Sequence, residues 1–238
     1  VGEAISKEIW TVELILKIKN YSMATTKKIA VIGLGNIGKI VAQNLVKGNR
    51  AVTLASRNVE DAVTLAEQLG SLATASDIAS AMNEADIIVM AVWFNNIEKL
   101  FSDYGTALRG KIIIDPSNPI APDDKGGFKK IIGENESGGE LNSTLLPVGA
   151  KLVKALGTLG AASLASAAFQ LPEQAVLFYA SDDRSVDEEV DQLILDSGFN
   201  PLRIGGLNQS IRIEVFGDLH EFGALGKTVS LSEAKSRV

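Results

Sequence analysis

Three glycines set between an apolar run and an amphipathic one constrain this chain more than any other feature. Lys28 to Ile32 leads into Gly33-Leu34-Gly35-Asn36-Ile37-Gly38, and Ile37, Ile40, Val41 and Leu45 then recur at helical spacing as far as Lys47. The pattern predicts a strand, a tight turn and a helix in immediate succession. Each glycine meets its own demand. Gly33 permits the turn out of the strand, Gly35 keeps side-chain atoms away from whatever approaches the backbone, and Gly38 lets the helix lie close to the sheet. Free N–H groups at the helix start then face outward with the positive end of the helix dipole, which suits a diphosphate. A glycine-rich turn without a ligand would have the same composition. The strand before it and the helix after it favour the dinucleotide reading.

Beyond this unit the chain keeps alternating. Ala51 to Ala55 reads as a second strand, Val59 to Leu69 as a helix stopped by Gly70, and Leu72 to Thr74 as a short third strand. Ser76 is placed to cap the small helix that follows. Asp86 to Val92 and Lys111 to Ile114 read as strands four and five, with a helix over Asn95 to Leu108 between them. Strands at Lys151 to Leu156, Ala175 to Ala180 and Pro201 to Ile204 extend the series, and Ser185 to Asp196 fits a surface helix. Alternation of this kind predicts an α/β protein with a doubly wound parallel sheet, a Rossmann NAD(P)-binding fold. Extra C-terminal strands and a C-terminal helix from about Leu207 complete it. Ala121 to Gly139, rich in Gly, Asp, Lys and Glu, reads as a long mobile loop.

Residues 1–22 stand apart. Val12, Leu14, Leu16 and Ile18 alternate with mostly polar neighbours as in a half-buried strand, and Glu13 interrupts the apolar core a signal peptide would need. Met23 to Lys28 reads like a natural start. The expectation is an N-terminal extension over 1–22, outside the functional domain, and a single NADP-binding domain over 23–238.

The tip of the second strand selects the dinucleotide. Readers of NAD place Asp or Glu there, roughly 20 residues after the first glycine, to bond the ribose hydroxyls. This chain has Ser56-Arg57-Asn58 instead. No acid is present to repel a 2′-phosphate. The planar Arg57 guanidinium can pair with that phosphate and stack on the adenine, and Ser56 and Asn58 add neutral donors. The bland alternative is that Arg57 is a solvated surface charge. NADP is expected over NAD.

Composition closes off other chemistries. The 238 residues carry a formal net charge of −6, and Lys27-Lys28 and Lys129-Lys130 are isolated doublets, so no nucleic-acid partner is expected. The chain has no cysteine, which excludes disulfides, thiolate catalysis and cysteine metal sites. His220 is the only histidine, and no metal centre is expected. The apolar run Ile87 to Val92 falls far short of the roughly 20 residues of a membrane span. A cytoplasmic protein without a membrane partner is expected.

Several residues admit two readings. His220 could donate a proton in a cleft, although a lone histidine is more often a surface or interface residue bonded to a neighbouring acid. Asp182-Asp183 and Asp187-Glu188-Glu189 read as caps and a solvated face at a helix start. Trp93 and Phe94 either stack on a cofactor ring or pack. Arg212 and Glu214 are candidates for contact with the nucleotide or with a second subunit. Ile211, Ile213, Val215, Phe216 and Leu219, apolar on more than one side of the expected terminal helix, fit a homodimer. No side chain stands out as a catalytic acid or base.

The motifs Ile32 to Gly38, Ala55 to Asn58, Ala91-Val92-Trp93, Asp115-Pro116-Ser117-Asn118-Pro119 and Val153 to Ala161, in this order, resemble the NADP-dependent coenzyme F420 reductase family. The likeness runs from about Lys28 to about Gly226, and the cytoplasmic reductase domain of the six-transmembrane ferric reductases is similar too. The resemblance implies hydride transfer between NADP(H) and a second, small-molecule redox carrier. That carrier is F420, a deazaflavin, in the namesake branch and a flavin or ferric chelate in the ferric branch. Carried onto this chain, Ala91, Val92 and Trp93 would line the path from adenosine to nicotinamide. Asn118 and Pro119 would sit near the nicotinamide, and Gly157, Thr158 and Leu159 would face the acceptor. One position departs. Where the F420 branch has a His-Thr pair, this chain has Gly157-Thr158. The expected protein is an NADPH-dependent oxidoreductase, and the alternative is an NADP(H)-binding redox sensor without turnover. Imine and β-hydroxyacid reductases share the nucleotide fold but carry a substantial helical second domain, for which the residues after Leu207 are few.

Overall fold

The computed structural model describes residues 27–238, and the extension expected over 1–22 lies outside them. In chain order the elements are β1 (Ile29–Ile32), α1 (Asn36–Lys47), β2 (Val52–Ala55), α2 (Val59–Leu69), β3 (Ala73–Ala75), α3 (Ile78–Glu84), β4 (Ile87–Met90), α4 (Ile97–Leu108), β5 (Ile112–Asp115), β6 (Ile120–Pro122), β7 (Phe128–Lys130), α5 (Gly138–Ser143), β8 (Lys151–Lys154), α6 (Ala161–Ser166), β9 (Val176–Ala180), α7 (Asp187–Asp196), β10 (Asn200–Gly205) and α8 (Leu231–Lys235).

Burial of the strands explains the layers. β1 is buried at every position, with Ile29 and Val31 on one side of the sheet and Ala30 and Ile32 on the other, as a strand covered on both faces requires. Val41 and Leu45 of α1, Leu65 of α2 and Leu193 and Ile194 of α7 close the first side. Met82 of α3 and Ile97, Phe101 and Leu108 of α4 close the second.

The sheet has eight strands in the order β10-β9-β8-β5-β4-β1-β2-β3, so the α/β doubly wound expectation holds. Six neighbours, from β3 to β8, run parallel. The last two reverse. β9 joins β8 antiparallel through Lys154 opposite Ala180, and β10 runs parallel to β9. Because the two final residues of their strands meet, β9 enters from beyond the carboxyl edge of β8, and no crossover back to the amino edge is needed.

Three local expectations are corrected. The cap of α3 is Asp77, whose Oδ1 accepts from Ser80 N at 2.9 Å, because the Ser76 N–H still belongs to the strand and bonds Leu54 O. The segment read as a long loop holds an antiparallel hairpin, β6 with β7, and the start of α5. The Asp123 carboxylate closes the hairpin turn by accepting from Lys125 N and Gly127 N. The terminal helix from Leu207 is a 3-10 turn, Leu207–Arg212, followed by further turns and then α8. Ile213, Leu219, Leu225 and Val229 fold back onto Val176, Phe178 and Ile204 in a third apolar cluster.

Candidate dinucleotide site

The glycine turn and the tip of β2 lie side by side, since Gly33 N donates to Ala55 O at 2.8 Å. Gly33 has φ +92, a left-handed conformation that glycine adopts without strain. A Cβ at Gly38 would overlap the Gly33 carbonyl oxygen, so the first turn of α1 packs directly on the loop. Gly35 differs. It is the N-cap of α1 with an ordinary φ of −75, and no atom lies within 4 Å of where its Cβ would be. Nothing among the described residues demands glycine there, and the space it leaves opens onto the helix start.

Electrostatics point the same way. The other described helices have their first turns compensated: α2 by Glu60 and Asp61, α3 by Asp77, α4 by Glu98, α5 by Ser137 and Glu214 and α6 by Glu221. α7 starts with three acids and α8 is capped by Ser230. Among the described helices α1 and α6 have neither a side-chain cap nor an acid in their own first turn, but Glu221 meets the N-cap N–H of α6. No described side chain meets the start of α1, whose fourth residue is the exposed Lys39. An uncompensated helix start carries roughly half a positive charge. A diphosphate fits that donor set.

At the tip of β2, Ser56 Oγ donates to Asn58 O at 2.5 Å and Asn58 Nδ2 donates to Asp61 Oδ1 at 3.2 Å. These two residues shape the turn. Arg57 between them is exposed and makes no hydrogen bond or ion pair among the described residues. The structure therefore brings Gly33 to Gly38 and Ser56 to Asn58 together and leaves one guanidinium free beside the open loop.

The other expected site residues divide. Ala91 and Val92 are half-buried against the Gly33 turn. Trp93 is exposed, with its ring centroid 6.4 Å from that of Phe128, so it packs on the β6–β7 hairpin. Asn118 is committed at both ends: Nδ2 donates to Gly157 O at 3.1 Å and Oδ1 accepts from Val215 N at 2.7 Å. Pro119 is buried. Thr158 and Leu159 are buried, and the Thr158 and Ser117 hydroxyls are enclosed without a hydrogen-bond partner among the described residues.

The departure at Gly157 has a steric cause. A side chain there would overlap the Pro116 carbonyl oxygen. The lone histidine arrives from the C-terminal segment instead. His220 Nδ1 accepts from Phe222 N at 2.9 Å, which leaves the proton on Nε2 to donate to Gly157 O at 3.0 Å. Its partners are backbone groups, not the neighbouring acid of the bland reading. Burial pushes its pKa down to about 4, so it is neutral near pH 7 and no proton donor. Glu221 beside it bonds Gly160 N at 2.6 Å and Ser163 Oγ.

Arg212 and Glu214 have structural partners. Arg212 pairs with Asp218 and Arg237 O, while the buried Glu214 carboxylate accepts from Gly138 N and Gly139 N. A buried ion pair went unread in the sequence. Asp115 Oδ2 accepts from Lys154 Nζ at 3.0 Å and from Asn142 Nδ2 at 2.9 Å, and Asp115 Oδ1 accepts from Ser117 N at 2.8 Å. The only signal was a charge closing each of two apolar strands, Ile112–Asp115 and Lys151–Lys154. No group of three His, Asp or Glu side chains that could hold a metal occurs among the described residues. No described helix is long and apolar enough to cross a membrane.

A glycine turn opening an uncompensated helix, a cation at the tip of the neighbouring strand and a doubly wound sheet define the dinucleotide-binding fold that NADP-dependent oxidoreductases share. Residues 28–119 match the family model described as NADP oxidoreductase, coenzyme F420-dependent. That match bears out, over this stretch, the resemblance carried by the motifs. Among solved structures, a hypothetical protein from Sinorhizobium meliloti is similar with a TM-score of 0.75 and 25% identity, covering 89% of this chain and 98% of that one. A putative F420-dependent NADP-reductase from Arthrobacter sp. FB24 shares the fold, with a TM-score of 0.67 and 22% identity over 77% of this chain and 87% of that one. Glutamyl-tRNA reductase from Methanopyrus kandleri is 37% identical over 101 residues, 39% of this chain. That likeness spans only 25% of the relative's length.

Proposed function

We propose that the chain binds NADP(H) on the α1 turn and Arg57, and passes hydride between the nicotinamide and a small flavin-like or deazaflavin acceptor. The unpaired Arg57 beside the uncompensated start of α1 carries this reading. Asn36, Ile37 and Gly38 would offer backbone N–H groups to the diphosphate, and Arg57 would pair with the 2′-phosphate. When bound, NADPH supplies two electrons and one proton as hydride. The chain contributes position more than proton transfer. His220 is enclosed and neutral, and Asp115, Glu214 and Glu221 are each held by two or more donors. Hydride transfer needs proximity and alignment, which such a scaffold provides.

The engagement of these four groups inside the fold is equally compatible with an NADP(H) sensor. Steady loss of NADPH absorbance on adding riboflavin, F420 or ferric citrate supports the enzyme, and binding without loss supports the sensor. A ferric chelate belongs among the acceptor classes to test. A homodimer would have to use the exposed Phe216 and the half-buried Ile211 and Val215, because Ile213 and Leu219 are buried within the chain itself.

Titration of NADPH and NADH into wild type and Arg57→Ala tests the cofactor assignment. A charge-assisted contact contributes about 1.5–3 kcal/mol, so NADPH affinity is expected to fall about tenfold to a hundredfold while NADH affinity hardly changes. Equal loss for both nucleotides would show that Arg57 does not read the 2′-phosphate.

A further inference from the structure

Phe216 sits in the left-handed region at φ +76 with half its surface exposed. Each condition is unfavourable: its Cβ crowds the backbone, and an aromatic face stays in water. The surroundings impose both. Val215 N is held by Asn118 Oδ1 at 2.7 Å. The Glu214 carboxylate accepts from Gly138 N and Gly139 N, each at 3.0 Å, and from Ser210 Oγ at 2.8 Å. On the far side, Gly217 N donates to Glu214 O and Leu219 N to Arg212 O, both at 2.8 Å. The turn is anchored on either side of Phe216 while its ring is left outside. Strain retained by an over-determined surrounding is a mark of functional surface.

Placement ties this turn to the carboxyl edge of the sheet. Asn118 follows β5 at the carboxyl edge, and its amide reaches Gly157 O beyond β8, next to Leu156, which is also left-handed at φ 64. A Cβ at Gly138 would lie 3.1 Å from Phe94 Cε2, 3.2 Å from Glu214 Oε1 and 3.3 Å from Pro119 Cγ. The turn that carries Phe216 therefore lies by the ends of β4 and β5. In an open α/β sheet, ligands occupy the crevice outside those strand ends. We infer that Phe216 is the apolar wall on which the acceptor stacks, and that the acceptor is a planar heteroaromatic ring rather than a metal chelate. This rests on the oxidoreductase reading above. A flat π system gains offset stacking from an exposed phenyl face, whereas a hydrated chelate gains little.

Riboflavin and 5-deazariboflavin, titrated into protein saturated with NADP+, report ring binding through quenching of their fluorescence. Wild type is expected to bind both. Phe216→Gly is expected to weaken both about tenfold, with NADPH affinity unchanged and the thermal midpoint no lower, because glycine relieves the left-handed backbone. Phe216→Trp is expected to keep ring binding. Equal ring affinity in Phe216→Gly, or a parallel loss of NADPH affinity and midpoint, would overturn the inference. Wild type that binds NADPH but neither ring would overturn it while leaving the cofactor reading intact. Wild type that binds neither NADPH nor a ring would remove both.

Discussion

At two of the glycines the same substitution is expected to act on different quantities. A methyl at Gly38 would overlap the Gly33 carbonyl oxygen, so Gly38→Ala forces α1 away from the loop. A loss of about 3 kcal/mol in urea unfolding is expected. A methyl at Gly35 meets no atom of the described residues within 4 Å. Gly35→Ala is expected to change stability by less than about 1 kcal/mol yet weaken NADPH, because the methyl occupies the ligand's space. A destabilised Gly35→Ala, or one with full NADPH affinity, would contradict this division. His220 gives a pH signature. Its pKa is about 4 in the fold against an ordinary 6.5, so between these values the unfolded chain takes up a proton that the folded chain refuses. Its contribution is complete above about pH 6.5, falls as pH drops toward about 4, and levels off below. The shift corresponds to about 3 kcal/mol. Urea stability measured from pH 4 to 7 should therefore fall less steeply in His220→Gln than in wild type, and parallel curves would refute the assignment.

Among elements, the carboxyl ends of β5 and β8 are joined by a buried charge pair. Asp115 is fully enclosed and depends on Lys154, Asn142 and the Ser117 N–H. Lys154→Met would leave a carboxylate without its cation in the interior. Removing one partner of such a pair costs about 3–5 kcal/mol, and adding Asp115→Asn should recover part of it. A Lys154→Met protein as stable as wild type in urea would mean the pair carries no net weight. The elements themselves were legible where periodicity was strong: β1, α1, α2, α4 and β4 lie within a few residues of expectation. The β6–β7 hairpin was not. Ile120–Pro122 and Phe128–Lys130 are three residues each, too short to show alternation, and their turn depends on the Asp123 side chain.

For the whole molecule, the stretch after β10 decides what the carboxyl edge can do. It runs as turns rather than a helix, buries His220 against Gly157, seats Glu214 on the start of α5 and leaves Phe216 outside. Asn118 bolts this stretch to the residues that follow β8, and Thr158 is enclosed beside them. The reversal of β9 and β10 belongs to the same scale, because strand direction depends on where the preceding chain arrives.

The sequence by itself determined the doubly wound sheet, the nucleotide-binding turn and the cation at the tip of β2. All three follow from local rules: hydrophobic period, the steric freedom of glycine and the absence of an acid at one position. Only the tertiary structure decided which polar groups were still free. Whether Asn118, His220 or Glu214 can meet a ligand depends on partners between 2 and 97 residues away, whereas Arg57 has none among the described residues, and a hydrogen bond satisfied inside the fold competes with one to a ligand.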